Sequence, residues 1–472
     1  MIIAILVTTA LYFFAFSGKP LPKDEKGRVV VRYWEKWTGK EAEQMQIIVD
    51  DFNKTVGKQK GIYVEYLSMS DVNKKTLSAT SAGVPPDIAG LWDGQVAQFA
   101  AINAVEPLDD LAAAHGITAD TYLPVYWKAC HYKGRLWALV STPAAIALHY
   151  NKRIMLERGD KLRAAGLDPT RPPRTLDELD RYAAALDTYK TLPNGKRQIV
   201  SSGYLPMEPG WYLNYTGFWF GGSLYDENTG KFTLTSPEMV RALHWIASYS
   251  ERMGKDAMTD FKSGFGQFNS AQNPFLVGSV VMEQQGPWMA NYIEVNKPSM
   301  NHWHHPGPQD MSLSIEERRK NFEWGAAPFP SAVPGLNNVT LGAFDCLMIP
   351  KGAQHKNEAF EFLAYVNRQD VMEKLTSMHC KNSPLRQVSA NFLRNHPNPY
   401  IDVFEKLAAS PNAHGVPSVP IWPEVADELN VAVQKVYLLE STPEQALAES
   451  QLRLQAKLDD FNARQRARAG TP

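Results

Sequence analysis

Trp34, Glu35 and Trp37 place two indoles and a carboxylate on one short stretch of chain, and Trp92 with Asp93 repeats the combination. An indole face covers the C–H surface of a ring while a carboxylate bonds neighbouring hydroxyls, so residues of these types in one place suit a polyhydroxylated ligand. Glu208, Trp211 and Tyr212 form a third such group. Trp288 follows Gly286-Pro287, where glycine allows close backbone approach and proline stiffens the loop, so its ring can be held as a rigid platform. Each has a plainer reading: Trp34 can end a core strand, Trp211 can pack inside, and Trp288 can fill the space between two layers.

Other chemistries find little in the residues. Lys and Arg number 49 against 50 Asp and Glu, for a net charge of −1 spread along the chain, so nucleic acid is excluded as a partner. No nucleophile elbow, His-Glu-x-x-His zinc helix or phosphate loop occurs. His302, His304 and His305 lack a carboxylate and the helical spacing of a metal site, so neither a metal nor a cofactor is expected. Cys130, Cys346 and Cys380 are odd in number and far apart, and read as small buried residues or one incidental disulfide. Asp87 after Pro85-Pro86 reads as a turn-fixing residue, Tyr150 and Asn151 as the start of a turn, and Arg386 as a surface side chain.

The candidate groups need elements to position them. Val29–Trp34, Ile62–Tyr66 and Asp87–Trp92 read as strands, separated by helices over Lys40–Asn53 and Asp71–Ala82. That alternation is the α/β pattern of a parallel sheet covered on both faces, and ligands meet such sheets beyond the carboxyl ends of the strands. Trp34 to Trp37 and Trp92-Asp93 stand at two of those ends. From Lys133 to Tyr150 an aromatic-rich strand is interrupted at Ser141-Thr142-Pro143 and restarts at Ile146, as a crossing between two lobes would be. Thr175-Leu176-Asp177-Glu178 predicts a capping box, and Ser236-Pro237-Glu238 caps a helix through Ile246. Phe275–Met282 runs as a helix end into a buried strand that delivers Trp288, and Trp324–Pro330 reads as a return crossing. Helices over Asn357–Val366 and Pro443–Phe461 close the two lobes, and His302–Arg319 reads as an insertion that reshapes one cleft wall.

Gly83-Val84-Pro85-Pro86-Asp87-Ile88, Pro107-Leu108-Asp109-Asp110-Leu111, Leu148–Lys152, Pro173–Leu179, Gly278–Trp288 and Ala327-Pro328-Phe329-Pro330 occur in an order and at distances that resemble family 1 extracellular solute-binding proteins. These are the carbohydrate receptors of ABC importers, to which maltodextrin-binding protein is distantly similar. The resemblance implies a two-lobed periplasmic-binding-protein-like α/β fold with hinge-connected, discontinuous lobes. It implies a monomer that closes on a sugar without catalysis and delivers it to membrane permease subunits of an ABC transporter. Lobe 1 would comprise 28–141 plus 329–376, and lobe 2 the segments 142–328 plus 377–472. Phe344-Asp345 falls where the family places a strand-end ligand loop, which adds Asp345 to the candidates.

Residues 1–27 read as a signal or membrane anchor and linker, with an apolar run through Phe16 and a small-residue cleavage site at Ala15-Phe16-Ser17. The expected location is periplasmic or extracytoplasmic, with residues 1–16 as the visible tether because no lipid-accepting Cys follows them. Two alternatives use the same cleft. A secreted glycosidase-like enzyme would draw two carboxylates from Glu35, Asp93 and Glu208, and a sugar sensor would present the ligand to a membrane signalling partner.

Overall fold

The computed structural model describes residues 27–469 apart from 306, 308 and 309. The expected anchor and its cleavage site lie outside the described residues. Among those described, no helix is long and apolar enough to cross a membrane.

Strands β1 (Val29–Glu35), β2 (Ile62–Ser68) and β3 (Ile88–Trp92) alternate with helices α1 (Gly39–Lys54) and α2 (Val72–Ser81). Period-2 burial in β1 turns Val31, Tyr33 and Glu35 inward, and α1 lays Met45, Ile48, Val49 and Phe52 on the same core. Strand β4 (Leu139–Ala145) leads through Ile146 into β5 (Ala147–Asn151). Helix α3 (Leu176–Leu186) follows, then β6 (Thr188–Thr191), β7 (Arg197–Tyr204), α4 (Pro237–Met253), β8 (Val280–Gln285), α5 (Met289–Asn296) and β9 (Trp324–Ala327). The chain continues through β10 (Thr340–Met348), α6 (Lys356–Val366), α7 (Gln369–Met378), α8 (Ile401–Ala408) and β11 (Ala413–His414) to α9 (Trp422–Tyr437) and α10 (Pro443–Ala469).

These strands form two larger sheets. The first runs β11-β10-β3-β1-β2, with β4 also on β10, and the second runs β9-β5-β8-β7-β6. In the first, β1 is parallel to β2 and β3 while β10 is antiparallel to β3 and β4. All three parallel strands therefore end at one edge, as the alternation predicts. The architecture is the two-lobed α/β fold expected from the sequence, with two hydrophobic cores, the first of which also takes in Ala147, Trp324 and Ala326 of the second sheet.

The crossing differs in one respect. Pro143 does not interrupt β4: it pairs opposite Phe344, the register shifts beside it between Asp345 and Cys346, and the strand runs on to Ala145. The extra residue of the bulge is Ser141, Pro143 keeps its place in the ladder, and the break falls at Ile146 instead. There the amide is held by Thr340 Oγ1 at 2.7 Å and the Leu341 carbonyl at 3.2 Å, which ties the break to the second crossing. The expected capping box is half formed. Thr175 Oγ1 accepts from the Glu178 amide at 3.1 Å, but the Glu178 carboxylate turns to Arg171 and the Arg174 amide. Asp87 locks β1 as expected, accepting from the amides of Arg32 and His355.

Helix α3 lies directly on β7 at Gly203, where a Cβ would stand 2.5 Å from the Ala183 carbonyl oxygen and 2.6 Å from Ala183 Cα. Both are backbone atoms that cannot swing aside. Gly203→Ala is expected to lose about 1–3 kcal/mol of stability through overpacking. Urea unfolding followed by far-UV circular dichroism measures this.

Candidate functional site

The parallel strand ends and the crossings enclose a cleft of about 350 Å³. From the first sheet come Lys36, Trp37, Thr38 and, on the first turn of α1, Glu41; Trp92 and Asp93 follow β3. Thr142 and Ala144 of β4, Ala343–Asp345 of β10 and Lys381 complete that side. Facing them are Trp211, Phe268, Trp288 and Tyr292.

Strand register explains the gathering. Asp345 pairs with Trp92 on one side and with Thr142 on the other, so three strands bring an indole, a carboxylate and a hydroxyl into one row. Lys36 reaches the row from the end of β1. Lys381 reaches it because Cys380, just beyond α7, adopts a left-handed φ of 57° that turns the chain sharply. Asp345 then binds both lysines: Lys36 Nζ stands 3.0 Å from Oδ1 and Lys381 Nζ 2.9 Å from Oδ2, which also accepts from Thr142 Oγ1 at 2.9 Å. Lys36 donates further to the Leu91 carbonyl at 3.0 Å, and Lys381 to Thr142 Oγ1 at 2.9 Å. The ammoniums also face rings. Lys36 lies 5.0 and 5.1 Å from the centres of Trp37 and Trp92, and Lys381 5.6 and 5.5 Å from those of Trp37 and Trp288.

Electrostatics follow from this packing. Burial pushes the Asp345 carboxyl up, but the charges of Lys36 and Lys381 outweigh it and hold it well below the usual carboxylate range. Burial likewise opposes the charge on Lys36, and Asp345 with Glu35 more than restores it. Asp93 has no such partner. Burial raises it to about 7, although its oxygens accept from the amides of Gly94 at 2.7 Å and Phe344 at 3.1 Å. Glu41 is raised by burial, opposed by Lys381.

The opposite wall is aromatic. Trp211 contacts Phe268 edge-on at 4.7 Å, and Phe268 contacts Tyr292 at 4.7 Å, a chain of rings in which Trp211 stays 47% exposed. Trp288 covers Gly286, where a Cβ would overlap the indole, and Pro287 is held by Asn398 Nδ2 donating to its carbonyl at 3.0 Å. The expected stiff loop thus has a visible cause.

Of the residues singled out in the sequence, the structure brings Trp37, Trp92, Asp93, Trp211, Trp288 and Asp345 around one cleft. Trp34, Glu35, Glu208 and Tyr212 do not line it. Strand alternation turns Glu35 inward, fully buried, into the space left by the absent side chain of Gly90. There it accepts from Tyr33 Oη, from the Lys36 amide at 2.7 Å and from Lys36 Nζ at 3.2 Å, supporting Lys36 from below. Trp34 packs against the first core, Tyr212 is buried in the second, and Glu208 faces Lys262 at 3.8 Å. Lys36, Thr142 and Lys381 were not legible as site residues. The insertion does not form the cleft wall either. His302 and Met311 line a separate cavity of about 610 Å³ behind α5, and Arg319 binds the Pro399 carbonyl at 2.9 Å.

Comparison with known proteins bears on the family. Residues 48–391 match the family of bacterial extracellular solute-binding proteins. The chain belongs to that family. A putative binding protein of Brucella abortus (strain 2308) is 23% identical over 385 residues, 82% of this chain and 82% of the relative. The maltotriose-binding protein of Pyrococcus abyssi (strain GE5 / Orsay) is 22% identical over 356 residues, 74% of this chain and 64% of the relative. Among solved structures, CpMnBP1 with mannobiose bound is similar with a TM-score of 0.71 and 25% identity, covering 90% of this chain and 99% of that one.

Two carboxylates of this solute-binding protein should titrate with opposite signs. Asp345 is depressed, so the stability it contributes is complete above the unfolded carboxyl value of about 3.9 and is lost as pH falls through its lower folded value. Asp345→Asn is expected to cost about 3–5 kcal/mol at pH 7, because two buried ammoniums lose their shared partner, with the deficit shrinking below about pH 4. Asp93 is raised to about 7, so relative to Asp93→Asn the unaltered protein loses stability as pH rises from about 4 to 7 and levels off above. Urea unfolding of the three proteins across pH 2.5 to 8.5, roughly the window set by these values, checks both signs.

Proposed function

We propose that this protein is an extracytoplasmic receptor that captures a sugar or oligosaccharide between its lobes and passes it to the membrane permease of an ABC importer. The observation that carries the reading is the cleft wall itself, where Trp37, Trp92, Trp211 and Trp288 surround a hydrogen-bonding floor of Asp93, Thr142, Asp345 and Lys381. Stacking rings with a few fixed polar groups are what a saccharide requires. Relatives named for maltotriose and mannobiose support the same class of ligand. We assign the site to the wall residues named above, with Glu35 as a support for Lys36. The single-residue break at Ile146 and the Ala327-to-Thr340 crossing are the proposed hinge segments, and residues 1–16 the proposed tether.

A glycosidase fits the cleft less well. Hydrolysis needs two carboxylates flanking the scissile bond about 5–10 Å apart, one of them an acid. Asp93, with its raised value, could be an acid, but Glu41, Asp93 and Asp345 all lie on one side, and Trp211, Phe268, Trp288 and Tyr292 opposite them carry no carboxylate. A receptor that holds its ligand unchanged is the simpler use of such a wall.

Incubating the protein with a carbohydrate panel and analysing both binding and products separates the two. A ligand that quenches tryptophan fluorescence, raises the melting temperature and is recovered intact is expected; turnover of any sugar would defeat the receptor reading. Trp288→Ala should weaken that ligand by about 2 kcal/mol or more, roughly 30-fold, as measured by calorimetry.

A further inference from the structure

The charged side chains lining the cleft among the described residues are Lys36, Glu41, Asp93, Asp345 and Lys381. At first sight two lysines at the floor of a binding site suggest an anionic ligand. Most of their protons are already committed. Lys36 Nζ has three acceptors for its three N–H groups, namely Glu35 at 3.2 Å, Asp345 at 3.0 Å and the Leu91 carbonyl at 3.0 Å. Lys381 gives one to Asp345 and one to Thr142, each at 2.9 Å, and faces Trp37 and Trp288.

The field is no more favourable to an anion than the bonding. Asp345 sits between the two ammoniums, Glu35 lies beneath Lys36, and Asp93 and Glu41 open on the same space. Among the described residues neither Asp93 nor Glu41 has a lysine or arginine partner of the kind Asp345 has, Glu41 meeting the buried His379 ring at 3.9 Å, and burial pushes both toward the protonated form. A phosphate or carboxylate entering here would bring its charge against Asp345, would find one uncommitted proton on Lys381, and could pair with both ammoniums only by displacing Asp345, leaving a buried carboxylate unpaired. Hydroxyl groups meet no such conflict, since they can donate to Asp93 or Glu41 and accept from the remaining proton of Lys381.

We propose that the cleft selects uncharged saccharides and excludes phosphorylated and carboxylated ones, with Asp345 as the specificity-determining residue that neutralises Lys36 and Lys381. The selection rests on the carbohydrate reading above, whereas the exclusion of anions stands on the floor alone.

Calorimetric titration of the full chain tests both. Mannobiose and maltotriose serve as neutral ligands, mannose 6-phosphate, sn-glycerol 3-phosphate and digalacturonate as charged ones, and inorganic phosphate as the bare anion. The unaltered protein is expected to leave every anion unbound at about 1 mM, at least about 100-fold weaker than the best neutral sugar, since like-charge contacts cost several-fold tens in affinity. Asp345→Asn frees two ammoniums and is expected to bring inorganic phosphate into the millimolar range or tighter. An anion that binds the unaltered protein within about tenfold of the best neutral ligand overturns the proposal. A folded Asp345→Asn protein with no gain in phosphate binding overturns the role of Asp345. Should that variant fail to fold, Asp345→Ser and the anion titrations of the unaltered protein decide. Failure of all sugars would sink the carbohydrate reading, while the phosphate titrations would still accept or reject the exclusion.

Discussion

Two ammonium groups share one carboxylate at the floor of the cleft, and much of the molecule is arranged so that they can. Lys36 ends the first strand, Asp345 sits in mid-strand on β10, and Lys381 follows α7, so one cluster joins three distant parts of the chain. An unshared buried ammonium would be costly, and so would an unshared buried carboxylate. Stability of the cluster therefore requires all three at once. Gly90 leaves room for Glu35, Glu35 fixes Lys36, Thr142 pairs with Asp345 next to the bulge at Ser141, and the left-handed turn at Cys380 aims Lys381.

The aromatic side obeys a different constraint. Trp211, Phe268 and Tyr292 support one another edge to face, and Trp288 rests on the bare backbone of Gly286. Such rings need no partner charge and lose little conformational freedom when a ligand covers them. One side of the cleft thus supplies the hydrogen-bonding groups, beside Trp37 and Trp92, and the other supplies mainly contact area. The two meet where the Trp288 ring lies over Lys381, a contact that is weak enough to be exchanged for a ligand.

The sequence carried the fold in its periodicities. Alternation in Val29–Trp34, helical spacing in Lys40–Asn53 and the Pro-Pro-Asp turn before Ile88 were enough to align three parallel strands and to predict which edge opens on a ligand. Trp37, Trp92 and Asp93 followed from that edge, and Trp288 from its Gly-Pro lead. Glu35 was assigned to the site for its type, yet counting by two from Val31 and Tyr33 already sends it inward. Lys36 was overlooked because a lysine between tryptophans reads as solvated. Lys381 lay beyond a helix whose end carries Cys rather than Gly, so no stop signal marked the turn that aims it. Asp345 was reached through family position alone, since its importance arises from cross-strand neighbours 203 and 36 residues away in sequence.

This division of labour bears on how a ligand closes the lobes. A ligand shifts an equilibrium between open and closed forms only by the difference in its affinity for the two. Asp93, Thr142 and Lys381 gather at the first sheet around Asp345, so on the receptor reading they set where a ligand sits. Trp211 and Trp288 line the facing side of the cleft, so on the same reading they add contact area over a bound ring. If the lobes close on a ligand as proposed, the aromatic wall supplies the larger share of the difference and the polar floor the recognition of hydroxyl geometry. Changes in the floor should alter which ligand is accepted more than how fully the protein closes, and changes in the wall should do the reverse.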